Sequence, residues 1–365
     1  MIKRGTISPR QVFFIITMLL TGIYILILPR HMVSLTGTDG WLVLLGGGMI
    51  SGVMLFFVNK ISMKFPGKTV IEFAPLVMGK WLGKGIGVVL AAYYTLLAAV
   101  SLRIFTEMLK SVLLAETPRW IVITTLLGLI TWIVQNGIED IARFTELIAP
   151  IIILFLITAL IGDVGHMEVI RLQPVLQSDT GSLVKGVLSA LSYFGIIIAL
   201  LMLYPYVNAP EKLTRTSMGA LLFAVLITIA FFLGTVSTFG IYETARMAWP
   251  VIELVKMVHL GEFLERVESL FLSVWLSIAF INISVLAFCS VVGWTQLTNK
   301  KNYGKVTYPI MFMLFALSLW PKDLLVVLGI YQFNFTYGFV ISLILPLFLF
   351  IVSLFHKGGS SDARR

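Results

Sequence analysis

Ten runs of apolar residues, each bounded by charged or Gly/Pro clusters, constrain this chain more than any motif it carries. They fall at about 11–29, 41–59, 84–113, 120–136, 141–162, 184–206, 214–239, 268–294, 304–320 and 335–355. A bilayer core needs roughly 20 such residues per helix, so the runs read as ten membrane spans. Composition agrees: 58% of the 365 residues are apolar and 12% are charged, about half the charge of a soluble domain. The residues left over average about 14 per connection, too few for an independent soluble domain. An all-α membrane protein is therefore predicted, as one integral domain. Cytosolic enzymes, secreted disulfide modules and disordered scaffolds are excluded together.

The net charge of +9 does not indicate nucleic acid, because the basic residues recur in short clusters between spans and form no single face. With the N-terminus inside, the inner segments carry 17 Lys and Arg and the outer ones 9. That bias predicts both termini in the cytoplasm. The start of the chain lacks a small-residue cleavage site, so it reads as a retained first helix rather than a signal peptide. Cys289 lies within a span and has no partner for a disulfide. Lys60, Lys64 and Lys68 are expected to meet anionic lipid headgroups.

Polar residues within the spans point to the site. Span one reads Thr17 to Tyr24 with Thr21-Gly22 at its middle, and span six reads Ser189 to Gly195. Glycine weakens a helix by about 1 kcal/mol relative to alanine, and nearby hydroxyls can cap backbone groups freed by a break. Ordinary packing glycines would give the same residues. The reading taken here is paired broken helices, because spans one and six lead the two halves when ten spans divide into fives. An odd number of spans forces the second half to run inverted, so repeats over about 11–162 and 184–355 are expected. Interrupted helices at matching places in inverted halves mark a transporter-type binding site. A break offers amides to a carboxylate and carbonyls to an ammonium group, which suits an amino acid.

Span eight adds Ser273, Ser277, Asn282 and Ser284; Asn282 should point inward, as interhelical glue or as a cavity lining. Arg103 and Glu107, four apart near the outer end of span three, should pair as a structural pair or a gate. Gly46, Gly47, Gly48 and Gly52 allow close helix contact. An amphipathic helix is expected after Trp249-Pro250, with Val251, Leu254, Val255, Val258 and Phe263 against Glu253, Lys256, Glu262 and Glu265, either as a passive lid or as a ligand gate. Enzyme signatures are missing: neither Cys-x-x-Cys nor His-Glu-x-x-His occurs, and Gly67-Lys68-Thr69 lacks the first glycine of a phosphate loop, with Ser62 in its place. The histidines (His31, His166, His259, His356) are expected in loops or the tail. The chain is thus expected to be no enzyme and to need no cofactor or metal.

An ordered series of segments resembles one family. It comprises Thr17 to Arg30 with Gly22 and Leu28-Pro29-Arg30, Asp39-Gly40-Trp41, Gly79-Lys80-Trp81-Leu82-Gly83 and Arg103 to Glu107-Met108. It continues with Pro174-Val175-Leu176, Trp249-Pro250, Glu265 to Ser269 with Trp275, and Ser318-Leu319-Trp320-Pro321. The series is similar to the spore germination permeases, the GerAB-like B subunits of bacterial nutrient germinant receptors. The resemblance implies the fold of the amino acid–polyamine–organocation superfamily, with two inverted five-helix repeats and broken first helices. It further implies residence in the spore inner membrane and A and C subunits as partners. The implied ligand is a small nutrient germinant, usually an amino acid, held between spans one, three, six and eight. The positions carried over are Gly22, with Thr21 beside it, Tyr93, Leu97, Gly195 and Asn282. This chain departs from some members at Ser101, where a carboxylate can stand, at Ile197, near which a Glu can stand, and at Tyr24, which replaces a second small residue.

Three functions follow: a ligand-sensing receptor subunit, a secondary amino-acid transporter, or a structural anchor for partners. Proton-coupled pumping needs an ionisable group within the membrane, and residues 147–162 of span five contain none. The receptor is the leading expectation.

Overall fold

The computed structural model describes residues 5–257, 267–300 and 303–355, with side chains from 273 onward in span eight. Among them, nine helical stretches are long and apolar enough to cross a membrane, and Tyr303–Leu319 is a shorter apolar helix of 17 residues. These ten correspond one to one with the predicted spans.

Span one starts on a reciprocal cap. The Ser8 amide donates to Gln11 Oε1 at 2.8 Å, the Gln11 amide to Ser8 Oγ at 3.2 Å, and Pro9 opens the helix. The helix Pro9–Leu20 stops at Thr21-Gly22, continues as a 3₁₀ turn, Ile23–Leu26, and resumes as Leu28–Thr36. Span two is Gly40–Lys64, followed by a short helix, Val70–Met78, with its own Thr69–Glu72 capping box. Spans three, four and five are Lys80–Val112, Arg119–Asn136 and Ile138–Gly162. Span six is Thr180–Phe194, then a 3₁₀ stretch, Gly195–Ala199, then Leu200–Leu203 and a last turn, Tyr204–Tyr206. Spans seven and eight are Leu213–Arg246 and Val267–Leu297. Span ten is composite: Leu324–Tyr337, a π-helical turn Val340–Ile344, and Leu345–Phe355.

Span three lies along span eight, span two along span six, and span one along span seven. Of the glycines predicted for close packing, Gly47 and Gly48 serve it, whereas a Cβ on Gly52 would make only ordinary contact, at 3.7 Å from Met218. A Cβ on Gly47 would lie 2.5 Å from Ala190 Cβ of span six, and one on Gly48 2.6 Å from Val225 of span seven. Near the N-terminus the Ile7 amide donates to the Tyr206 carbonyl at 2.8 Å, and the Asn208 amide to the Ile7 carbonyl at 3.0 Å. This short bridge ties the start of span one to the end of span six.

Three boundaries differ from the sequence reading. Span ten begins at Leu324, eleven residues before the predicted start, with Asp323 Oδ1 accepting from the Val326 amide at 2.9 Å. The added stretch carries Tyr331, Gln332 and Asn334, which interrupt its apolar run. Span seven runs to Arg246 across a kink at Gly240 (φ 76°), a left-handed conformation that favours glycine. Carbonyls freed there are met by the outer connection: the Glu168 amide donates to the Ser237 carbonyl at 3.0 Å, and Arg171 Nη1 donates to Thr238. The amphipathic helix covers Pro250–Lys256. Val251, Leu254 and Val255 are buried, and Lys256 pairs with Glu253 at 3.1 Å. It packs on both Ile23–Leu26 and Leu28–Thr36, above the span-one break. Val258, Glu262, Phe263, Glu265, Arg266, His259 and His356 lie outside the described residues.

Candidate ligand site at the span-one break

The break in span one is real and abrupt. Thr21 ends the helix near φ −93°, ψ 15°, and Gly22 is extended at ψ −155°. A helix end leaves its last carbonyls without intrahelical donors. Two of these carbonyls are met by side chains from other spans: Asn282 Nδ2 of span eight donates to the Leu19 carbonyl at 3.2 Å, and the Tyr193 hydroxyl of span six donates to the Leu20 carbonyl at 2.5 Å. Asn282 is wholly buried, as expected of an amide that cannot face lipid.

Space, rather than backbone freedom, fixes glycine at position 22. Its φ of −66° suits any residue, but a Cβ would sit 2.5 Å from Asn282 Nδ2 and 3.1 Å from the Met18 carbonyl oxygen. Thr21 turns back on its own helix, its hydroxyl donating to the Thr17 carbonyl at 2.7 Å. That bond uses the hydroxyl's one donor and leaves its acceptor lone pairs. Immediately beyond the break, the Tyr24 hydroxyl lies 2.5 Å from Ser101 Oγ of span three and 3.5 Å from the Leu97 carbonyl. Ser101, the position where a carboxylate can stand, thus anchors Tyr24.

Span six behaves differently from span one. Gly195 does not unwind; it marks a tightening from α to 3₁₀ geometry, with φ −64° and ψ −15°. The Ile198 carbonyl in that stretch accepts the Tyr94 hydroxyl of span three at 3.2 Å. A Cβ on Gly195 would lie 2.2 Å from Ser342 Cβ in the π turn of span ten. Gly195 is thus a seat for span ten.

The remaining expectations sort as follows. Gly22 packs against Asn282, the Leu97 carbonyl lies 3.5 Å from the Tyr24 hydroxyl, and Tyr93 turns to span ten, donating to Asn334 Oδ1 at 3.2 Å. Ser273 is exposed, Ser277 donates to the Ser273 carbonyl at 2.9 Å, and of the three serines only Ser284 is fully buried. Arg103, 1% exposed, meets Glu107 at 2.8 Å and donates to the Ser318 carbonyl of span nine at 2.8 Å; Arg119 of span four meets the same carboxylate at 2.9 Å. This cluster staples spans three, four and nine together. Lys64 donates to the Ser353 carbonyl of span ten rather than pointing only at lipid.

The contribution of span ten and His31 was not read from the sequence. His31 sits in the helix Leu28–Thr36, not in a loop, and its Nε2 lies 2.8 Å from Ser189 Oγ of span six. Its ring stacks on Phe335 with centroids 4.5 Å apart. Tyr331 stacks on Tyr24 at 4.7 Å and meets Phe335 edge-on at 4.2 Å. An aromatic ladder therefore joins the far half of span one to span ten across the break. The spacing of Tyr331, Asn334 and Phe335 at i, i+3 and i+4 could have revealed that face, had the span been started early enough.

A helical membrane bundle whose first span is broken at mid-depth, with the broken end capped from spans six and eight, has the architecture of the leucine-transporter-like secondary transporters. Two solved structures share it. The nucleobase-cation-symport-1 family transporter Mhp1, closed with bromovinylhydantoin bound, superposes with a TM-score of 0.67 over 95% of this chain and 78% of its own, at 12% identity. MhsT in complex with L-phenylalanine gives 0.68 over 94% and 88%, at 16% identity. The particular family is settled by sequence: residues 6–327 match the family of spore germination proteins, Spore_permease, and the chain belongs to it. Spore germination protein YndE of Bacillus subtilis (strain 168) is 26% identical over 367 residues, covering 97% of this chain and 98% of the relative. The chain is a multi-pass membrane protein of this family.

Proposed function

We propose that this protein is the membrane-embedded B subunit of a nutrient germinant receptor in the spore inner membrane, both termini facing the cytoplasm. It binds a small nutrient germinant, an amino acid by preference, at the span-one break. Occupancy is passed to A and C subunits to start germination. No catalysis, cofactor or nucleic acid enters this reading.

The observation that carries it is the capped break itself. Amides leading the Ile23–Leu26 turn have no preceding helical turn to accept them, and they suit a carboxylate. The carbonyl side is already held by Asn282 and Tyr193, so a ligand ammonium must displace or share those donors. That competition links binding to the packing of spans six and eight on span one. A receptor needs only such differential affinity between two arrangements, since about 1.4 kcal/mol shifts their ratio tenfold. Thr21, Gly22, Tyr93, Leu97, Gly195 and Asn282 remain the proposed site. Gly195 acts through span ten, and two inverted repeats supply the frame.

The second reading, a working secondary transporter, is favoured by the fold shared with Mhp1 and MhsT. Uptake of labelled amino acids into proteoliposomes under an inward proton gradient separates the two. Saturable binding without accumulation supports the receptor; concentrative uptake abolished by a protonophore replaces it with the transporter.

A further inference from the structure

The aromatic ladder between spans one and ten contains one unfinished element. Tyr331 is 3% exposed, and its hydroxyl has no hydrogen-bond partner among the described residues. The other three tyrosines around the break are all satisfied: Tyr24 by Ser101, Tyr93 by Asn334, and Tyr193 by the Leu20 carbonyl. A buried phenol left without a partner is costly and uncommon. Its ring lies on Tyr24, the second residue past Gly22, so the orphan hydroxyl belongs to the same small volume as the break. The side chains gathered there are phenols, amides, a serine hydroxyl and, behind Phe335, the His31 imidazole; no carboxylate, lysine or arginine is among them.

We infer that Tyr331 of span ten is a ligand-contacting, specificity-determining residue, whose hydroxyl donates to an oxygen of a small ligand without net charge. The zwitterion of an amino acid is the class that fits. This rests on the amino-acid reading of the break, and it extends the site to a span that the family resemblance did not include. In the arrangement seen here the hydroxyl is enclosed, with Tyr24 and Phe335 packed on its ring. A ligand entering the break displaces the Tyr24–Tyr331 stack and gives the phenol its missing acceptor. The unpartnered hydroxyl raises the free energy of the empty state alone, which favours closure of span ten around an occupied site. An uncharged site also selects against ligands of net charge, since an unpaired charge buried there would be heavily penalised.

The test is Tyr331→Phe, which keeps both ring contacts and removes only the hydroxyl, with Tyr193→Phe as the contrast. Full-length protein in detergent is melted alone and with each common L-amino acid in turn. Without ligand, Tyr331→Phe should melt no lower than wild type, whereas Tyr193→Phe, which strips the Leu20 carbonyl of its donor, should melt lower. For any amino acid that stabilises wild type, Tyr331→Phe should bind about tenfold more weakly, equivalent to 1.4 kcal/mol. A ligand-free Tyr331→Phe that melts as low as Tyr193→Phe overturns the inference, because the hydroxyl then has a protein partner. Normal ligand-free stability with undiminished affinity also overturns it and leaves the amino-acid reading standing. If no amino acid stabilises wild type, that reading falls and takes the inference with it.

Discussion

Replacing Gly22 by alanine tests the site at its tightest contact. The new Cβ would stand 2.5 Å from Asn282 Nδ2, where ordinary contact begins at 3.4 Å, so the amide must retreat by about 0.9 Å. It cannot do so and keep the Leu19 carbonyl, which it already holds at 3.2 Å. Losing that bond in a buried setting costs about 1–3 kcal/mol, and overpacking a filled site adds about 1–3 kcal/mol. Alanine also favours a continuous helix by about 1 kcal/mol over glycine, which works against the break itself. Gly22→Ala should therefore lose roughly 2–6 kcal/mol of stability in the broken-helix arrangement, together with ligand response, while still reaching the membrane. The assay is a double-mutant cycle with Asn282→Ala by thermal unfolding in detergent. Removing the amide removes the obstacle, so the double variant should be less impaired than the sum of the single ones by about 1–3 kcal/mol. Strict additivity, within about 0.5 kcal/mol, would show that Asn282 is not what Gly22 makes room for.

Glu107→Gln should cost about 3–5 kcal/mol in a stability assay, because it leaves Arg103 buried without its carboxylate; Arg103→Met added to it should recover much of the loss. His31→Ala removes both the Phe335 stack and the Ser189 contact, and should lower stability by about 1–3 kcal/mol while speeding ligand exchange measured by stopped-flow. Gly195→Val collides with Ser342 and should displace span ten, which cross-linking between spans six and ten would report; Ser342→Gly should partly restore the native cross-link. Asp179 caps span six, accepting from the Ser182 hydroxyl at 2.7 Å and its amide at 3.0 Å, and these bonds hold its carboxyl below the usual range. A depressed folded-state pKa stabilises above the unfolded value and is lost as pH falls through the folded one, so Asp179→Asn should flatten the acid limb of the melting curve below about pH 4.

Membrane class, the ten spans and the place of the break were all legible in the order of residues. Each of these rests on a local signal: apolar runs as long as a bilayer is thick, charges between them, and Thr21-Gly22 where a helix should continue. The sequence also placed Asn282 inward, because an amide has no acceptable position against lipid. Tertiary structure decided what each residue is for. Gly22 looked like a source of backbone freedom and proved to be a matter of room for an amide 260 positions away in the chain. Thr21, proposed as a ligand contact, donates its hydroxyl proton to its own helix and so has only acceptor lone pairs to offer a ligand. Gly195 looked like the twin of Gly22 and instead seats the π turn of span ten. His31 and Tyr331 carried no motif, since stacking partners from spans one and ten meet only when the bundle closes. Periodicity records which face of a helix is apolar; it holds no record of which distant backbone carbonyl a buried side chain will find, because that pairing is fixed by packing between elements far apart in sequence.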